Sequence, residues 1–159
     1  MPQEILLPPK EGQYSLYYPS GAKKGEMVYR QGRLEGPCTY FTEGGKELSR
    51  CLYVDGKREG EARYYYPNGK LYSLQVFKNG RWEGRQEFYY EDGSIKTVMH
   101  YSKGVLHGQV LLYRQGGKSQ VEFTFCEGSK KGIERLWDEA GVCKIERDIL
   151  LVAENGNLD

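Results

Sequence analysis

The side chains that could run acid–base, nucleophilic or metal chemistry here are two histidines, four cysteines and 22 carboxylates. His100 and His107 are the only imidazoles. Cys38, Cys51, Cys126 and Cys143 form no Cys-x-x-Cys pair, which argues against a zinc site and for buried reduced thiols in a cytoplasmic protein. Neither Cys126 nor Cys143 has a histidine at a recognised catalytic spacing. Gly44-Gly45-Lys46 is followed by Glu47 and has no strand–loop–helix setting, so it is a turn and not a phosphate loop. The expectation is a non-enzymatic protein with no metal and no cofactor.

Charge narrows the partners. The chain carries 23 Lys+Arg against 22 Asp+Glu, a formal net charge of +1, which gives no reason to expect nucleic acid. Lys57, Arg58, Lys78, Arg81, Lys130 and Lys131 recur near turns, but acidic residues alternate with them, and a solvated rim is the simpler reading. The longest apolar run, Ile149 to Ala153, is far shorter than a membrane span. Glu4 and Pro8-Pro9 stand where a signal peptide needs a basic start and an apolar stretch. These features point to a soluble, unprocessed, cytoplasmic chain.

The elements that must position these side chains are set by glycine, 21 of 159 residues. Gly12, Gly36, Gly60, Gly84, Gly108, Gly132 and Gly156 are each 24 residues from the next, and this defines six units. A second column runs through Gly21, Gly45, Gly69, Gly93, Gly117 and Gly141, and a third through Gly32, Gly56, Gly80, Gly104 and Gly128. Both follow turn formers, as in Pro67-Asn68-Gly69, Asp55-Gly56 and Asn79-Gly80, so each unit reads as a β-hairpin. The unit-starting glycines predict a bulge or a close backbone approach where the next strand begins.

Aromatic and apolar residues keep the same register. One column is Tyr17, Phe41, Tyr65, Tyr89, Tyr113 and Trp137; its neighbour is Leu16, Tyr40, Tyr64, Phe88, Leu112 and Leu136; a third is Tyr29, Tyr53, Phe77, Tyr101 and Phe125. Adjacent strand residues point to opposite faces, so the first two columns line both sides of a sheet. The predicted fold is all-β: an elongated, single-layer antiparallel meander of repeated hairpins, open and curved, with about twelve strands. Residues 1–11 read as an N-terminal cap and residues 12–155 as the array. Within the array, 145–155 form a C-terminal cap, with a short helix as the alternative over 145–153, and 156–159 are a tail.

Once the columns are aligned, several reactive side chains acquire structural roles. Glu35, Glu59 and Glu83 recur once per unit and suit the capping of turn amides, and His107 occupies the same slot as a turn histidine. Cys51 stands where other units have Met27, Met99 and Phe123, and reads as apolar packing. Residues that are aromatic in only some units are the suggestive ones. Tyr18, Tyr66 and Tyr90 share a position that holds Thr42, Arg114 and Asp138 elsewhere, and Trp82 replaces Arg58 and Lys130. With Arg63 and Arg85 nearby, Tyr18, Tyr66, Tyr90 and Trp82 form the expected partner-binding patch, since Tyr, Trp and Arg dominate binding hot spots.

The unit Tyr64-Tyr65-Tyr66-Pro67-Asn68-Gly69-Lys70, then Phe77-Lys78-Asn79-Gly80-Arg81-Trp82-Glu83 and Gly84, resembles the bacterial variant of the MORN repeat. The resemblance covers about residues 12–155 and departs where Lys131 and Asn155 replace the glutamate and Cys126-Glu127-Gly128 replaces an Asn-Gly or Asp-Gly turn. It implies an elongated hairpin array and, by similarity to YwqK-type antitoxin or immunity proteins, binding and occlusion of a toxin or effector protein. Relatives with the classical repeat imply the alternative, a scaffold that self-associates or a membrane-associated adaptor that binds phospholipid.

Overall fold

The computed structural model describes residues 10–149. In chain order the strands are β1 Gly12–Tyr17, β2 Lys23–Arg30, β3 Arg33–Leu34, β4 Gly36–Phe41 and β5 Glu47–Val54. Next come β6 Lys57–Tyr65, β7 Leu71–Lys78, β8 Arg81–Trp82, β9 Gly84–Tyr89 and β10 Ile95–Ser102. The last are β11 Val105–Tyr113, β12 Ser119–Cys126, β13 Ser129–Lys130, β14 Ile133–Trp137 and β15 Cys143–Asp148. They form one open antiparallel sheet in which each longer strand pairs with the next longer strand in sequence, and β3, β8 and β13 are two-residue pieces that pair with β2, β7 and β12 ahead of a bulge. The meander expected from the glycine columns is the observed fold. Residues 145–148 lie within β15, so this part of the expected C-terminal cap is strand; the other expected cap residues, apart from 10, 11 and 149, lie outside the described residues. Among the described residues no helix is long and apolar enough to cross a membrane.

Units one to five each have two kinds of turn. The third-column glycines close two-residue turns in which both central residues are left-handed, as in Asn79 (φ 52°) and Gly80 (φ 79°), the geometry that matches the twist of paired strands. The unit-starting glycines also have positive φ, Gly36 at 88° and Gly60 at 71°, and an added Cβ at either would meet nothing within 4 Å. Dihedral angle, not close approach, is therefore the reason for glycine at those two bulges.

A left-handed turn leaves its amides pointing away from its own hairpin, and the preceding unit takes them up. The amide of Gly56 donates to Leu34 O at 2.9 Å and that of Asp55 to Glu35 Oε2 at 2.7 Å. The same pair of bonds recurs at Gly80 and Asn79, with Arg58 O and Glu59 Oε2, and at Gly104 and Lys103, with Trp82 O and Glu83 Oε2. Glu11 extends the column backward by accepting from the Gln31 amide at 2.9 Å. At Glu127 the acceptor is His107 Nδ1, at a longer 3.4 Å.

The opposite edge is stitched by side chains as well. Tyr18 Oη donates to Phe41 O at 2.8 Å, Tyr66 Oη to Tyr89 O at 2.8 Å and Tyr90 Oη to Tyr113 O at 2.9 Å. Arg114 Nη2 makes the equivalent bond to Trp137 O at 3.1 Å. Thr42 and Asp138 instead accept from amides in their own turns, Lys46 at 3.0 Å and Val142 at 2.9 Å.

Packing between units follows volume. Leu16, Tyr40, Tyr64, Phe88, Leu112 and Leu136 share one face with Gly25, Ser49, Ser73, Thr97, Val121 and Ile145 on the adjoining strands. Each large residue faces a smaller one in the preceding unit: Tyr40 over Gly25, Tyr64 over Ser49, Phe88 over Ser73, Leu112 over Thr97, Leu136 over Val121. As the ring shrinks, its partner grows. A Cβ on Gly25 would lie 3.0 Å from the Tyr40 ring. The same face buries Cys38, Ala62, Gln86, Val110 and Glu134 at one repeat position. Gln86 satisfies itself by bonding both the amide of Val76 at 3.0 Å and its carbonyl at 3.1 Å. Glu134 is met by Lys130 and by Arg147 at 2.5 Å.

Two outcomes test this account. Glu59→Ala removes a charge-assisted bond to the Asn79 amide and lowers stability by about 1–2 kcal/mol, whereas His107→Glu raises it by up to about 1 kcal/mol. Both are read as shifts of the urea midpoint at constant slope, and equal midpoints for all three proteins would remove the capping role. The ion pairs around Glu134, the Lys130 hydrogen bond first, hold its carboxyl below its ordinary 4.5 against the opposing effect of burial. A carboxyl whose folded pKa is depressed contributes stability that is present above 4.5 and lost as pH falls through the folded value. Stability measured against pH therefore falls more steeply below 4.5 in the wild type than in Glu134→Gln.

Candidate functional site

The surface most distinct from its repeats lies on the face that carries Tyr64, Ser73 and Phe88, which stand in one row across β6, β7 and β9. The bulge in β7 pairs Tyr64 with Ser73 and Tyr65 with Leu71, leaving Tyr72 without a cross-strand partner. A bulge re-aims the extra side chain, and Tyr72 turns edge-on to Tyr66 at 5.2 Å and to Phe88 at 6.0 Å between ring centroids. Lys24 over Tyr18 at 5.6 Å and Lys96 over Tyr90 at 5.4 Å occupy the equivalent geometry in units one and four.

Trp82, opposite Phe77 in the β7–β8 pair, folds back over the same face. Its Nε1 donates to Gln75 Oε1 at 3.1 Å, and its ring lies 6.4 Å from Phe88 and 4.9 Å from Tyr101. Arg58 and Lys130 hold this position in other units and lie over Phe77 at 4.0 Å and Phe123 at 3.6 Å. The result is a continuous run of five rings, Tyr66–Tyr72–Phe88–Trp82–Tyr101, across units three and four. Tyr72 is 41% exposed, and among the described residues no second layer covers the face. Edge-to-face contacts of this kind contribute about 0.5–1.5 kcal/mol each, so the rings are held in place before any partner arrives. Burial pushes the Tyr101 and Tyr66 phenols above their ordinary values.

Of the residues expected to form one patch, Tyr66 and Trp82 are brought together through Tyr72 and Phe88. Tyr18 and Tyr90 lie at the corresponding edge of their own units, each under a lysine. Arg63 and Arg85 lie on the opposite face, in ion pairs with Glu61 and Glu87 at 2.6 Å each. Tyr72 satisfies the criterion that singled out Trp82, because its position holds Lys24, Leu48, Lys96, Gln120 and Lys144 elsewhere. Phe88 and Tyr101 belong to complete columns and carry no such signal.

A second feature follows the short-turn edge, where Lys57, Lys78, Asn79, Arg81, Glu83 and Lys103 line a groove of about 390 Å³. Glu83 is occupied by the Lys103 amide, which leaves four cations around the groove. The histidines stay apart: His100 Nδ1 lies 3.1 Å from Gln109 O, and His107 is a turn acceptor. Among the described residues no group of three His, Cys, Asp or Glu could hold a metal ion.

Comparison with known families places these units. The family model of the MORN repeat variant matches residues 10–31, 58–79 and 82–103, and the last two segments carry all five rings of the aromatic run. Repeats of this family are generally protein- or lipid-binding modules. No curated protein matches the chain. The units between the matched segments repeat the same turns, amide caps and bulges, and over the three matched segments the chain is similar to the MORN repeat variant.

Proposed function

We propose that the chain is a non-enzymatic protein-binding module that grips a protein partner on the five-ring run, and that the partner is a toxin or effector which it holds inactive. The observation that carries this reading is the unbroken path from Tyr66 to Tyr101, fixed by ring contacts and open to one side. Aromatic anchors pre-set by their neighbours bind with little loss of side-chain freedom, and occlusion of a partner asks for affinity alone.

A second reading, an adaptor on an anionic phospholipid surface, is favoured by the cationic groove of Lys57, Lys78, Arg81 and Lys103. Such binding falls with salt, whereas a grip by buried rings does not.

The two are separated by paired variants. Trp82→Ala with Tyr72→Ala reduces retention of a stoichiometric protein partner from the native cell by about 30-fold or more. Lys57→Glu with Arg81→Glu leaves that retention unchanged. Pelleting with anionic vesicles that the groove variant alone abolishes, with no partner retained, would replace the first reading with the second.

A further inference from the structure

The cross-strand pair between β4 and β5 that the repeat does not explain is Cys38 and Cys51, which stand directly opposite each other. The equivalent pairs are Tyr14–Met27, Ala62–Gln75, Gln86–Met99, Val110–Phe123 and Glu134–Arg147. Facing residues on antiparallel neighbours have Cα atoms about 4.5–5.5 Å apart, inside the range a disulfide spans. Both cysteines are free thiols. They differ in surroundings: Cys38 is 2% exposed, and Cys51 is half-buried with its Sγ 3.9 Å from Cys38 O.

That asymmetry assigns the roles. The neighbouring Cys38 side chain lowers the Cys51 thiol, opposed by burial and helped by the Arg58 guanidinium and the Tyr53 hydroxyl. The same contact, with burial, pushes Cys38 up. Cys51 is thus the more reachable and more readily ionised sulfur, and Cys38 the thiol held behind it.

We propose that Cys38 and Cys51 form a thiol–disulfide exchange site that reacts with a low-molecular-weight disulfide, such as glutathione disulfide, and closes to a bridge between β4 and β5. Cys51 thiolate attacks one sulfur of glutathione disulfide. Its S–S bond breaks, and the departing glutathione thiolate takes up the proton that Cys51 released. Cys38 then gives its proton to solvent and attacks the Cys51 sulfur of the mixed disulfide. The second glutathione thiolate leaves and is protonated. Two protein thiols are oxidised and one glutathione disulfide is reduced to two thiols. The bridge pins the hairpin under Tyr40 and Tyr53, on the same face as the ring run.

The test treats the full chain carrying Cys126→Ser and Cys143→Ser with glutathione disulfide at neutral pH, alkylates it under denaturing conditions and maps peptides by mass without reduction. The expected product has lost two hydrogens and joins the Cys38 and Cys51 peptides. Cys38→Ala, which places at 38 the residue found at the equivalent Ala62, stops at a glutathione adduct on Cys51. Cys51→Ala leaves Cys38 unmodified. A lasting adduct on Cys51 while Cys38 of the parent protein is still alkylated would overturn the proposal, as would no reaction, or modification of Cys38 in Cys51→Ala as fast as bridging in the parent.

Discussion

The constraint on which this sheet depends is the fate of the backbone amides at its left-handed turns. A two-residue turn with both central φ values positive suits the twist of the strands but directs its amides away from its own hairpin. At Asp55–Gly56, Asn79–Gly80 and Lys103–Gly104 the preceding unit supplies one carbonyl and one glutamate carboxylate to meet them. The turn can therefore form without loss only when its neighbour is present. This couples hairpins along the array more tightly than strand pairing alone, because bulges interrupt the ladder between units: only Ser73–Phe88 and Leu74–Glu87 join β7 to β9 directly. Gln86 meets the amide and carbonyl of Val76 exposed by that interruption.

A single layer must also bury apolar surface without a second sheet. It does so by setting each large residue on the smaller residue of the unit before it, with reciprocal sizes from Tyr40–Gly25 to Leu136–Val121. Residues at the tips fold inward to help. Arg58, Trp82 and Lys130 all cover rings from the same repeat position, so cation–π contact and ring-on-ring contact are interchangeable there. The covering side chain can vary widely in chemistry while the architecture stays fixed.

Most of the fold was legible because glycine and the turn dipeptides report φ directly, and the 24-residue register carries the strand positions with them. The glutamate column was legible as well, since a carboxylate once per unit beside a turn has few other uses. The hydroxyl bonds of Tyr18, Tyr66 and Tyr90 were not. Their column is broken by Thr42 and Asp138, and spacing does not reveal that Arg114 makes the same bond with a guanidinium. Those bonds give the three tyrosines a structural role beside any contact with a partner. The separation of Arg63 and Arg85 from Trp82 follows from strand alternation for the arginines, but the return of Trp82 over the Phe88 side depends on the bulge. Cys38 and Cys51 lie in different columns, and only the hairpin register makes them partners.

Because each unit contacts only its neighbours, a change that one unit absorbs does not propagate through a common core. The caps and glycines tolerate little, while the paired positions on the ring face, open on one side, accept an ion pair, a thiol pair or a Gln–Met pair without altering the next hairpin. Chemistry specific to this chain can therefore gather only where units differ. Among the described residues it does so in three places: the thiols of unit two, the ring run of units three and four, and the Glu134 cluster of unit six. The last of these is consumed by structure, since Lys130 and Arg147 already meet its carboxylate. The first two lie on one continuous face, which no second layer covers among the described residues. A disulfide that stiffened β4–β5 would be felt first by unit three, whose Tyr64 packs on Ser49 of β5, and unit three begins the ring run.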